Sequence, residues 1–243
     1  MKDKKEEILL AKLEDACQRN YEPRYFDFYD EATQMKIADR LRYMGEPYKF
    51  WGGMADAGRK MLCIYPEYIE DLQWPMGCLR FPITFELDHR NVLGALMGLG
   101  ITRENLGDIH LDQEEVQIIF NKRMEIFLKQ EFKTIKGRKI KPSFYSEEEI
   151  KAYEMTFKEL TIVASSQRVD GMIGKIWGFS RQDALIYIKQ GRLRVNYKEI
   201  MDNDFKVHPG DILSLRGKGK AKISEMPGTT KKGKMRIVVQ KYV

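Results

Sequence analysis

Nine basic residues in the last third of the chain are suited to binding phosphate: Arg168, Lys175, Arg181, Lys189, Arg192, Arg194, Arg216, Lys218 and Lys220. Arginine and lysine neutralise phosphates and release counterions, the main source of affinity for a nucleic acid. Their spacing matters more than their number. Arg168 and Lys175 are seven residues apart, so a helix would carry both on one face. Arg181 follows Ser180, which has the form of an N-cap with Asp183 as its capping-box partner. A helix start at this point offers unpaired N–H groups and the positive end of a dipole, both favourable to an anion. Lys189, Arg192 and Arg194 follow at the far end of that helix. Arg216, Lys218 and Lys220 alternate with Gly217 and Gly219 as a flexible basic edge.

The elements that must hold these residues are legible around them. Val169, Ile173, Ile176 and Trp177 share one helical face, and Gly178 breaks that helix. Ala184, Leu185 and Ile188 form the inner face of a second helix, which Gly191 ends. Leu193-Arg194-Val195 alternates as a short strand with Arg194 outward. Asn196 starts a turn, and Val207 to Asp211 forms another before a strand from Ile212 to Arg216. Residues 217–236, with Lys218, Lys220, Lys222, Lys231, Lys232, Lys234 and Arg236 around Pro227-Gly228, read as a mobile basic hairpin closed by a strand at Ile237–Gln240.

The charge distribution agrees. The net charge is +6. Residues 156–243 hold 18 Lys and Arg against 8 Asp and Glu, whereas residues 1–155 hold 24 against 28. The whole positive excess therefore lies where the candidate residues lie, which points to a polyanion partner for that segment.

Five ordered blocks in this segment resemble the S4 RNA-binding domain. They are Gln167-Arg168-Val169-Asp170, Phe179-Ser180-Arg181-Gln182-Asp183-Ala184, Gly191-Arg192-Leu193-Arg194-Val195-Asn196, Pro209-Gly210-Asp211-Ile212 and Arg216-Gly217-Lys218-Gly219-Lys220. Val169 stands where leucine is usual, and Tyr197 where glycine commonly follows Val-Asn. Upstream, Trp51-Gly52-Gly53, Ala57-Gly58-Arg59-Lys60, Ile64-Tyr65-Pro66-Glu67-Tyr68, the run His89 to Ile101 and Gly107-Asp108-Ile109 are similar to the YlmH-type family. Gly58 departs from that family, where an acidic residue is more usual. The resemblance implies a helical start, an RRM-like domain and an S4 domain (of the αL type). It implies structured RNA as partner, ribosomal RNA or tRNA. It further implies large ribosomal subunits carrying obstructed peptidyl-tRNA, in ribosome-associated quality control.

The remaining chain sets the architecture. Ile8, Leu9, Ala11, Leu13 and Ala16 form one helical stripe. A second helix spans Asp30 to Met44 with Met35, Ile37, Ala38 and Leu41 inward. Tyr25, Phe26, Phe28 and Tyr29 fall between them as packing aromatics. From Lys60 to Ser143 the pattern predicts strands at Met61–Tyr65, Leu79–Leu87, Asp108–Leu111, Val116–Phe120 and Phe132–Ile135. Helices fall at about 88–99 and Lys122–Gln130. That alternation suggests an α/β plait without the aromatic signature of a true RRM. The expected fold class is α+β, with a helical segment at 1–58, the RRM-like domain at 59–145, a linker near Ile135–Glu149 and the S4 domain at 153–243. His89 and Arg90 near a helix start, with Arg59, Lys60 and Arg103, are candidate secondary RNA contacts.

Other chemistries find little support. Three scattered cysteines without a CxxC pair, and only three histidines, suggest neither a disulfide framework nor a metal. No run of about 18 apolar residues would span a membrane. The charged N-terminus lacks a signal-peptide pattern, so the cytoplasm is expected. No Walker A or GxGxxG pattern suggests a nucleotide cofactor. Arg168-Val169-Asp170 resembles the segment around a pseudouridine synthase's catalytic Asp, but no Thr-Ser-Gly follows. The expectation is a monomeric, non-catalytic binder without cofactors. Its alternatives are an rRNA-modifying enzyme or an α/β domain serving mainly as a protein-interaction module.

Overall fold

A computed structural model describes residues 2–18, 21–153, 157–230 and 233–242. The fold is mixed α/β, with six α-helices and antiparallel sheets among the described residues. The chain divides into two compact units, Met1–Tyr153 and Glu154–Val243. No helix among the described residues is long and apolar enough to cross a membrane.

The first unit begins with α1 (Lys2–Gln18), β1 (Arg24–Tyr29), α2 (Glu31–Met44), β2 (Tyr48–Trp51) and β3 (Lys60–Ile64). The three strands form one sheet in the order β1-β3-β2. The aromatic run expected to pack between helices is therefore a strand. Its residues divide between two cores: Phe26 and Tyr29 pack toward α1 and α2, while Phe28 is buried on the opposite face. Aromatic side chains favour a pleated surface covered on both sides. Strand β3 has the same property, with Leu62 and Ile64 on one face and Met61 and Cys63 on the other. It lies just past residue 58 and completes this N-terminal sheet. Leu13, Ala16, Ile37 and Leu41 face inward as expected, but Ile8, Ala11 and Met35 are exposed.

The unit continues with β4 (Met76–Pro82), α3 (His89–Gly98), β5 (Leu106–Leu111), β6 (Glu115–Asn121), α4 (Glu125–Glu131), β7 (Thr134–Ile135), β8 (Arg138–Lys139) and β9 (Ser143–Tyr145). The main sheet has the order β5-β6-β4-β9. Strand β4, expected at Leu79–Leu87, starts earlier and stops at Pro82, which has no N–H to extend a ladder. Ile83, Phe85 and Leu87 pack on the core from outside the sheet. The strand expected at Phe132–Ile135 shrinks to a two-residue hairpin arm paired with β8. Its place at the sheet edge is taken by β9, from the segment expected to be linker.

Strand β6 is buried on both faces. Val116, Ile118 and Phe120 join the core with α3 and α4, whereas Ile119 joins Phe28, Met61, Met76 and Cys78 on the other face. Gln117, 0% exposed, donates to Lys151 O at 3.1 Å and accepts from Lys151 N at 3.1 Å. The segment after β9 is thereby strapped across the sheet. Tyr153 stacks on His110 with ring centroids 3.5 Å apart. The face that an RRM-type sheet would offer to bases is thus occupied by the unit's own residues.

The second unit comprises β10 (Phe157–Ala164), α5 (Val169–Trp177), α6 (Arg181–Lys189), β11 (Leu193–Val195), β12 (Lys198–Glu199), β13 (Ile212–Leu215), β14 (Gly219–Thr229) and β15 (Met235–Tyr242). Its sheet has the order β10-β15-β14-β13-β11-β12. Both helices pack on one face, through Val169, Met172, Ile173, Ile176, Ala184 and Ile188 against Leu193, Val195, Leu213, Leu215, Ala221, Ile223, Ile237 and Val239. The basic hairpin expected to be mobile is instead two long paired strands, β14 and β15, built into this sheet. Lys231 and Lys232 lie outside the described residues.

Candidate nucleic-acid interface

The two helices of the second unit meet at a tight turn. Gly178 takes φ 74° and caps α5. A Cβ on Gly174 would lie 2.9 Å from Phe179 O, so only glycine lets the chain pass there. Ser180 then caps α6: its Oγ accepts from Asp183 N at 3.1 Å and donates to Asp183 Oδ2 at 2.7 Å. This places Arg181 at the first helical position.

The turn brings Arg181 to Asp170, in the first turn of α5. Asp170 is 1% exposed. Its Oδ2 accepts from Arg181 Nη2 at 2.9 Å and Nε at 3.1 Å, and from Arg168 Nη2 at 2.9 Å. Its Oδ1 accepts from Gly171 N at 2.6 Å. Burial alone would raise the carboxyl's pKa, but the two guanidiniums and the Gly171 N–H outweigh it and hold the pKa below the ordinary value. Arg168 also pairs with Asp204. The outer side of Arg181 stays in water, with a side-chain exposure of 62%, whereas Arg168, at 31%, is shared between Asp170 and Asp204. Two cations are thus fixed side by side at the starts of two helices.

The other basic residues fall into separate groups. Arg192 Nη2 donates to Arg216 O at 3.0 Å, and its guanidinium lies 4.6 Å from the Tyr187 ring centroid. Trp177 Nε1 donates to Lys218 O at 2.9 Å, tying the β13–β14 turn to the end of α5. Arg216 and Lys218 are exposed there. Lys175 and Lys189 are exposed in the last turns of α5 and α6. Arg194 and Lys220 point from the sheet face opposite the helices, since Leu193, Val195 and Ala221 point inward. Asn196 uses both ends of its amide inside the fold: it donates to Asp211 Oδ1 at 2.7 Å and accepts from Ile212 N at 3.0 Å.

In the first unit, Arg59 is drawn into the fold. Its guanidinium donates to Phe28 O, Arg103 O and Leu106 O at 2.8–2.9 Å, and its backbone N donates to Asp108. It clamps strands together and offers little to a ligand. Lys60 Nζ donates to Ala55 O at 3.4 Å. His89 and Arg90 are exposed at the first turn of α3, whose N-cap Asp88 already accepts from Asn91 N. Crowding by protein, then the nearby Arg103, pushes the His89 pKa down. Among the described residues no group of three or more His, Cys, Asp and Glu could hold a metal ion.

Asp170, on which the two arginines converge, carries no basic charge and is not a candidate by residue type. Its signals in the sequence are its place at the end of the Gln167-Arg168-Val169-Asp170 block and its position one turn before Ile173 and Gly174. The eleven-residue reach to Arg181 exists only once the helix–turn–helix has closed.

Residues 68–149 match the family described as "Putative RNA-binding domain in YlmH". A solved structure, the cell division protein ylmH from Streptococcus pneumoniae, aligns with 56% of this chain and 83% of its own at 18% identity and a TM-score of 0.48. The ribosome-associated protein quality control protein P2 of Bacillus subtilis (strain 168) is 30% identical over 232 residues, which cover 92% of this chain and 89% of that protein. That identity runs through both compact units, and on its strength the chain belongs to the YlmH-type family.

Proposed function

We propose that the chain is a non-catalytic RNA-binding protein that works on the ribosome and grips structured RNA through an S4-type C-terminal domain. One observation carries the reading: the buried Asp170 holds Arg168 and Arg181 in fixed positions at two helix starts, with Arg181 open to solvent. Planar guanidiniums bind phosphate oxygens in pairs, and a pre-ordered pair loses less freedom on binding. The positive end of the α6 dipole, at Arg181, adds to the attraction. Recognition is by the shape of an RNA helix or junction, because A-form grooves hide base identity from side chains. The relative's name, a ribosome-associated quality control protein, supports work on the ribosome, and the family's RNA-binding description, which covers residues 68–149, supports RNA as the partner of the chain. From the family resemblance we take the RNA to be ribosomal RNA or tRNA on a large subunit carrying obstructed peptidyl-tRNA.

We assign the first unit, with its RRM-like alternation at 59–145, a secondary RNA contact at the exposed His89 and Arg90, because residues 68–149 match a family described as RNA-binding while both faces of its sheet are occupied within the unit. Its carboxyls with raised pKa serve the fold: Asp108 accepts from Gly58 N and Arg59 N, and Glu147 from Trp51 Nε1 and Trp74 N. That supports a binder over an enzyme. Arg181→Glu should abolish co-sedimentation with ribosomes in sucrose gradients while the protein stays folded. Unchanged association would sink the site, and tritium release from uridine-labelled rRNA would overturn the non-catalytic reading.

A further inference from the structure

The hairpin joining β11 to β12 turns on two residues, Asn196 and Tyr197, with φ of 47° and 65°. Such a two-residue loop needs positive φ at both positions, which glycine and asparagine supply cheaply and an aromatic residue does not. Tyrosine at the second position costs stability that glycine would not. Backbone strain of this kind persists where the surroundings or a function require the side chain.

The ring's neighbourhood indicates what it could serve. Lys220 Nζ lies 5.7 Å from the Tyr197 ring centroid. Lys220 is paired in register with Ser214, and Ser214 with Arg194, so these three form a row across adjacent strands on the face away from the helices. At about 4.8 Å per strand, Arg194 and Lys220 stand about 10 Å apart. Lys222 points the same way from β14, opposite Ile212 and Gln240. Glu199, opposite Arg194, is folded against the α6–β11 turn: a Cβ on Gly191 would lie 2.7 Å from Glu199 Oε1. Among the described residues neither Arg194 nor Lys222 forms an ion pair. A half-buried aromatic ring and lysine, Tyr197 and Lys220, beside the exposed Arg194 and Lys222 suit a single nucleic-acid strand, whose unpaired bases stack while its phosphates meet charge.

We propose that Tyr197 stacks on an unpaired RNA base, with Arg194, Lys220 and Lys222 holding the adjoining phosphates. This surface is separate from the Arg168–Arg181 pair, and the proposal rests on the reading of the chain as an RNA binder. The test uses the full chain and two probes: a fully paired RNA hairpin, and the same hairpin with a short single-stranded adenosine extension. The ratio of their dissociation constants isolates the contribution of unpaired bases. Tyr197→Gly should unfold at a higher temperature, since it relieves the turn, yet lose about tenfold in that ratio. Tyr197→Phe should restore it. A Tyr197→Gly protein with the wild-type ratio overturns the proposal alone, provided Arg181→Glu still weakens both probes. Wild-type protein that binds neither probe overturns both the proposal and the RNA-binding reading.

Discussion

Replacing Asp170 by asparagine separates positioning from charge. The substitution keeps the shape and removes the carboxylate that Arg168 and Arg181 share at 2.9 Å. Stranding a fully buried partner charge would cost about 3–5 kcal/mol. Here both guanidiniums reach water, and asparagine keeps one acceptor, so the expected loss is about 2 kcal/mol. For a second unit spanning Glu154–Val243, that corresponds to a melting transition lowered by roughly 8–16 °C. The effect on binding is the sharper test. Asp170→Asn makes the protein more positive, so simple electrostatics predicts tighter RNA binding. If the carboxylate's role is to hold the two arginines ready, binding should instead weaken about tenfold, or about 1.4 kcal/mol. That is less than the roughly 2 kcal/mol that ordering one arginine can cost. Calorimetric melting followed by RNA titration at constant salt gives both values. A folded Asp170→Asn protein that binds as tightly as wild type, or tighter, would refute the positioning argument.

Three further outcomes follow from the packing and charge. Asp170's folded-state pKa lies below its unfolded value near 4, so its contribution is full above that pH and is lost as pH falls through the folded value. The second unit's melting temperature should therefore drop below about pH 4, and Asp170→Asn should flatten that decline; identical acid profiles would contradict this. Gln117→Leu leaves Lys151 N–H and C=O without partners, at about 2–3 kcal/mol, and should speed tryptic cleavage after Lys151 in mass-spectrometric time courses. Gly107→Ala forces a Cβ to 2.9 Å from Ile119 Cγ2 and 3.0 Å from Phe28 Cε1, so the urea midpoint of the first unit should fall by the equivalent of about 1–3 kcal/mol.

Local chemistry along the chain was enough to place the second unit's helices and the Ser180–Asp183 cap. Capping, glycine stops and apolar period act within a few residues, so Gly178, Ser180 and Gly191 mark their elements directly. The position of Arg181 at a helix start was legible for the same reason. So was the concentration of positive charge after residue 155, because charge is additive along a chain. What the aromatic run at 25–29 becomes depends on two layers that exist only once β3 has paired with β1 and, in the other sheet, β6 has paired with β4 and β5. A strand buried on both faces has no alternation to reveal it. The edge strand β9 could not be read from three residues, because its partner Cys78–Arg80 lies more than sixty positions upstream. Sequence thus established that the last third is a basic, capped helical module. Only tertiary structure decided that a buried aspartate, eleven residues before Arg181, orders its arginines, and that Arg194 and Lys220 belong to the opposite face. Burial and pairing between distant positions are properties of the closed fold, not of any segment alone.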